Sequence, residues 1–301
     1  MYVFMRSQSG WTDGTERARL NATDDGTNLG QSVAIGAGTV VGGAEYFNEE
    51  QGAAYVFIEP ETGWTNMTQT ARLTPSDGKG GFMGDSVSVS GDTVVAGAPV
   101  TGIGSAGNGA YVFVRPKAGW KNSTETAKLG ASGGTGLELG FSVSIGGNTI
   151  AVGAPRRGGG NGAACVYLKP AEGWRSMTQN ATLTVPPKYN SLGYSVSIDS
   201  SGKNIIAGDP GWQDGGGQGA VVLFVKPTAG WRTTSNFKAR LTATDGRNMD
   251  GLGYSASANP LTIAAGAPGA TIGSNRNEGA AYVFGKWRTA AARLPFGVQA
   301  Q

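Results

Sequence analysis

With 301 residues and a net charge of only +3, from 24 basic and 21 acidic side chains and no basic run beyond Arg156-Arg157, the chain lacks the footprint of a nucleic-acid binder. It has no histidine, which removes Ser-His-Asp and Cys-His catalysis and the commonest metal ligand, and its one cysteine, Cys165, sits in an apolar run as a small hydrophobe. The 52 glycines with 13 prolines stay below the disordered range, and no stretch approaches the roughly 20 apolar residues of a membrane span.

In chain order, the first signals are an apolar run, Tyr2-Val3-Phe4, then Trp11, then Ala18-Arg19-Leu20. The same series returns around Trp64, Trp120, Trp174, Trp231 and Trp287, at intervals of 53, 56, 54, 57 and 56 residues, which is the period of a repeat architecture. Two further segments occur five times. One alternates, as in Ser86 to Val89 and Ser142 to Ile145, and this period of two predicts a strand. The other is an apolar run closing on a turn, as in Thr93 to Pro99 and Thr149 to Pro155. Four short strands per repeat, parted by Gly, Asp, Asn and Pro, leave almost no room for helix.

The expected fold is all-β, a β-propeller of four-stranded antiparallel blades forming a single domain over residues 1–301. Blades are placed at about 30–74, 84–130, 140–184, 193–242 and 253–294, with a half-blade at 1–21 and the start of a strand at 295–301. Tyr55 and Phe57 on one face and Val56 and Ile58 on the other suit a sheet covered on both sides. The serines of the alternating strands suit the crowded centre, and the tryptophans suit the wider rim, each worth about 2–3 kcal/mol if buried.

Phe141 and Tyr194, following Gly140 and Gly193, with the Gly-Ala-Pro triplets downstream, resemble the FG-GAP motif of integrin-like propellers, in the bacterial and algal form. The resemblance implies an extracellular or cell-surface protein in adhesion or assembly, and places ligands on the face carrying the loops between second and third strands. In integrin-type repeats an Asp-rich turn between the first two strands holds calcium. Here those turns read Gly36-Ala37-Gly38, Ser90-Gly91-Asp92 and Gly146-Gly147-Asn148, too poor in carboxylates, so no metal and no cofactor is expected.

The variable loops supply the candidate binding residues: Tyr46 and Phe47 in one copy, Arg156 and Arg157 in another, Trp212 and Asp214 in a third, and Arg276 in a fourth. Acid pairs such as Asp24-Asp25 and Glu49-Glu50 read as solvated turn acids, so no enzyme is expected. Four Asn-x-Ser/Thr sequons, at Asn21, Asn66, Asn122 and Asn180, are glycosylation candidates. The incomplete end copies leave three readings open: a longer array, closure within the chain, or a half-blade completing a neighbouring molecule. The leading functional reading is a non-catalytic propeller for adhesion or assembly with a protein partner or itself. A lectin is the alternative, with glycans as partners.

Overall fold

The computed structural model describes residues 1–24, 28–77, 81–99, 109–132, 138–186, 191–211 and 217–285, and the backbone of 292–294. Five sheets, each built on four antiparallel strands, follow one another along the chain, the second extended by the short parallel strand Met177–Thr178. The first runs Val33–Gly36, Thr39–Ala44, Ala53–Ile58, Ala71–Leu73, and strands neighbour each other in sequence order. The second to fifth repeat this meander, beginning at Ser86, Ser142, Val196 and Ser255. Before them stands a hairpin, Tyr2–Val3 paired with Ala18–Asn21, which corresponds to the third and fourth strands of a blade alone. These are propeller-type blades: the inner strand of each sheet packs against the inner strand of the next.

The serines of the inner strands do more than fit a narrow space. Ser32, Ser86, Ser142 and Ser195 each donate Oγ–H to a glycine carbonyl of the following sheet, Gly84, Gly140, Gly193 and Gly253, at 2.7 to 2.9 Å. Ser88, Ser144 and Ser197 accept from the amides of Ile145, Ile198 and Ala258. A small hydroxyl therefore joins backbones that pass too closely for a larger side chain. Glycine is required opposite: a Cβ on Gly43, Gly97, Gly153 or Gly208 would lie 1.8 to 2.0 Å from that same carbonyl oxygen of the next sheet.

At the rim, the loop before each outer strand clasps the sheet before it. Met67–Thr68 pairs in parallel with Leu20–Asn21, and Met177–Thr178 with Leu129 and Gly130. Trp64, Trp120, Trp174 and Trp231 are carried by these loops and buried between sheets; Trp120, for example, packs with Val41, Val56 and Leu73 of the first sheet. Trp287 lies outside the described residues.

Trp11 departs from the pattern, with 70 % of its surface exposed. The half-blade has no sheet in front of it among the described residues, so Tyr2, Phe4 and Trp11 face solvent. It also lacks inner strands, leaving Val33 63 % and Ile35 73 % exposed where their counterparts Val87 and Ile145 are covered. The result is an apolar groove of about 560 Å³ between Tyr2, Phe4, Leu29, Val33 and Ile35. The fifth sheet is open on its far side: Ala264, Gly266, Ala281 and Val283 are half-exposed, whereas the second and third strands of the first three sheets are buried almost throughout. The sequence makes all six copies look equally enclosed; enclosure depends on a neighbour, which no residue of the copy itself encodes.

Phe47–Glu50 and Arg157–Gly160 each wind into a short turn, not a regular helix. Asn48, Glu49 and Glu50 have φ of +48°, +55° and +67°, a left-handed path that glycines supply in the second case.

Candidate functional site

The structure ties several of the variable-loop candidates into the fold. Phe47 packs edge-on against Tyr55, with the Arg72 guanidinium 4.8 Å from its ring centre. Arg157 donates from Nη2 to the Ser132 carbonyl at 2.8 Å and reaches toward Cys165 Sγ. Burial pushes the Cys165 thiol up to about 11, which makes it inert. Tyr46 remains exposed beside Phe82, and Arg276 is exposed just after a turn closed by Ile272 and Asn275. Trp212 and Asp214 lie outside the described residues.

The four sequon asparagines are solvent-exposed, and three have positional roles. Asn66 and Asn122 accept through Oδ1 from the amides of Arg19 and Arg72 in the preceding sheet, both at 2.8 Å. Ser176 and Thr233 make the same contact in later copies. Asn180 accepts from Leu168 within its own sheet, and Asn21 lies in the outer strand of the half-blade.

Asp24 is not the solvated turn acid expected: it accepts from the Tyr55 hydroxyl at 2.7 Å and pairs with Arg72. Asp77, Tyr111 and Lys128 repeat this arrangement one sheet later. The third and fourth sheets cannot repeat it, because Cys165 and Val222 replace the tyrosine.

The structure gathers another set where the inner strands begin, and of the variable-loop candidates Arg156 belongs to it. The residue after the conserved-position glycine of each copy is Gln31, Asp85, Phe141, Tyr194 or Tyr254. The last three form a continuous ladder, with ring centres 4.6 Å apart between Phe141 and Tyr194 and 4.8 Å between Tyr194 and Tyr254. Burial raises the Tyr194 hydroxyl pKa, helped by its hydrogen bond with Tyr254. Asp85 is pushed up to about 7, first by burial and then by a hydrogen bond with Glu45, so this pair holds a proton near neutrality. Glu138, 6 % exposed, is also raised by burial, against the pull of Arg156, whose Nε lies 3.0 Å from Glu138 Oε1. Between Pro155 and Pro210, the side chains of Glu138, Phe141, Arg156, Ser191 and Tyr194 line a cleft of about 290 Å³. The signal for it was an aromatic recurring at one step of three copies, visible only when the copies are aligned on their glycines.

Among the described residues no group of three metal-ligating side chains occurs, and no helix is long and apolar enough to cross a membrane. Compared with known families, residues 67–113, 123–167 and 236–284 match the FG-GAP repeat. No curated protein matches the chain.

Proposed function

The chain is an FG-GAP repeat protein, and we propose that it is a non-catalytic interaction module, working outside the cell or at its surface, whose copies join head to tail. The uncovered faces at the two ends of the stack carry this reading. Tyr55, Phe57 and Trp64 seat on Val3, Ala18 and Leu20 of the preceding half-blade, and Tyr111, Phe113 and Trp120 seat on Val41, Ala54 and Val56. Tyr2, Phe4 and Trp11 are the same three positions, exposed and with no sheet upon them among the described residues. Ala264, Ala281 and Val283, the counterparts of Val41, Ala54 and Val56, form the matching surface on the fifth sheet. A second copy thus offers the complement that the internal joints already use. Such a contact is heterologous, so it extends into a chain of molecules unless its rotation closes. An unpaired sheet edge adds backbone hydrogen bonds to the apolar contact.

Sedimentation velocity over a wide concentration range tests this. The expected result is mass increasing with concentration, abolished by Tyr2→Ser with Trp11→Ser. A single monomeric species at the highest soluble concentration would overturn the reading. The surface location is tested separately by locating the native protein in its cells with and without protease added outside.

A further inference from the structure

We propose that the cleft between the third and fourth sheets is a binding site for a neutral pyranose sugar. The inference stands apart from head-to-tail assembly, since no residue of the cleft lies on either end face.

Three features of the cleft select this chemistry. The Phe141 and Tyr194 rings, both half-buried and tilted 54° to each other, line one side of the cleft and offer apolar surface to the C–H groups of a sugar ring. Beside it, Arg156 Nε and Glu138 Oε1 are held 3.0 Å apart, a donor and an acceptor side by side. Neighbouring sugar hydroxyls, each able to donate and accept, match such a pair, and the charged partners strengthen both bonds. Ser191, 6 % exposed, adds a third polar group to the lining. The volume is close to the lower end of the roughly 300–1,000 Å³ usual for small-molecule sites, which suits one or two sugar rings.

Charge argues against a cationic ligand. Glu138 is the one carboxylate in the lining and is already paired with Arg156, so the lining offers no free anion for an ammonium group. Stiffness argues for a ready-made site. Pro155 and Pro210 form its walls, and Gly140 and Gly193, which set the aromatic residues, are fixed by serine hydroxyls of the preceding sheets. Little ordering entropy is then lost on binding.

The test uses the full chain against an array of immobilised glycans, followed by titration with methyl glycosides of neutral hexoses monitored by saturation-transfer NMR. A neutral hexoside is expected to bind, and Tyr194→Ala to weaken it about tenfold by removing the stacking wall. Arg156→Gln, at an exposed position that folding tolerates, is expected to weaken it about fivefold or more. Lys117→Ala, at an exposed position outside the lining of the cleft, is expected to leave it unchanged. A silent array, binding indifferent to both cleft variants, or preference for an amino sugar or arginine methyl ester over neutral hexosides would overturn the proposal.

Discussion

A single added methyl group distinguishes a sealed sheet face from an open one. A Cβ on Gly153 would lie 2.0 Å from the Gly193 carbonyl oxygen, which is fixed in the neighbouring sheet. Gly266 occupies the same step of the fifth sheet, yet its Cβ would meet only Ser255 Oγ closely, at 2.5 Å, and that hydroxyl can rotate away. Gly153→Ala is therefore expected to cost about 2–4 kcal/mol through overpacking, and Gly266→Ala less than about 1 kcal/mol. Urea melts of the two variants check this, and equal losses would contradict it. Asp209 is the opposite case, a residue that already burdens its site. It stands where other copies have Ala98, Ala154 and Ala267, with no surface exposed, neither oxygen in a well-formed hydrogen bond although the Ser191 and Gly211 amides pull on it, and Arg240 Nη2 3.6 Å away. Burial pushes its pKa from 3.8 to about 6, outweighing the pull of Arg240. Between those values the folded chain keeps a proton that the unfolded chain has lost. This group's contribution to stability therefore rises as pH falls from about 7 toward 4. Asp209→Ala is expected to raise stability by about 3 kcal/mol at pH 8, from a shift of about two pKa units, with the gain shrinking toward pH 4. Paired denaturant melts at the two pH values measure it.

Between sheets, the clasp at the rim depends on one acceptor per joint. Asn122 Oδ1 receives the Arg72 amide of the preceding outer strand, and Ser176 Oγ receives the Lys128 amide one joint later. Asn122→Ala is expected to cost about 1 kcal/mol, the net worth of one such bond, and to speed hydrogen exchange at Arg72 but not at Lys128. Asn122→Ser should restore both, because serine already makes this contact in the next copy. The strand order, the serines and the tryptophan spacing are legible in the sequence because each copy repeats them, and repetition reports what every joint needs. The clasp is harder to see: its acceptor is Asn66, Asn122, Ser176 or Thr233, a chemical class and not one residue type, and its asparagines also fit glycosylation sequons. The aromatic ladder is harder still, since Phe141, Tyr194 and Tyr254 share their step with Gln31 and Asp85 in other copies. Reading the most variable loops for a site leads to Arg156, which lines the cleft, but also to Arg157 and Phe47, which the structure uses for support.

For the whole stack, the five described tryptophans of the repeat carry two different energetic meanings. Trp120 is 8 % exposed and seals an internal joint, so Trp120→Ser is expected to destabilise the protein by about 3–5 kcal/mol at any concentration. Trp11 is 70 % exposed, so Trp11→Ser should leave the dilute monomer's melting temperature unchanged. If copies join through Trp11, association stabilises the folded state in proportion to the logarithm of concentration, and wild-type melting temperature must rise as protein is added. Trp11→Ser should abolish that rise without altering the dilute limit, whereas Trp120→Ser should lower the whole curve and keep its slope. Scanning calorimetry at several concentrations separates the two. A flat wild-type curve would mean that the exposed Tyr2, Phe4 and Trp11 face meets no second copy, and that its apolar area waits for a different neighbour.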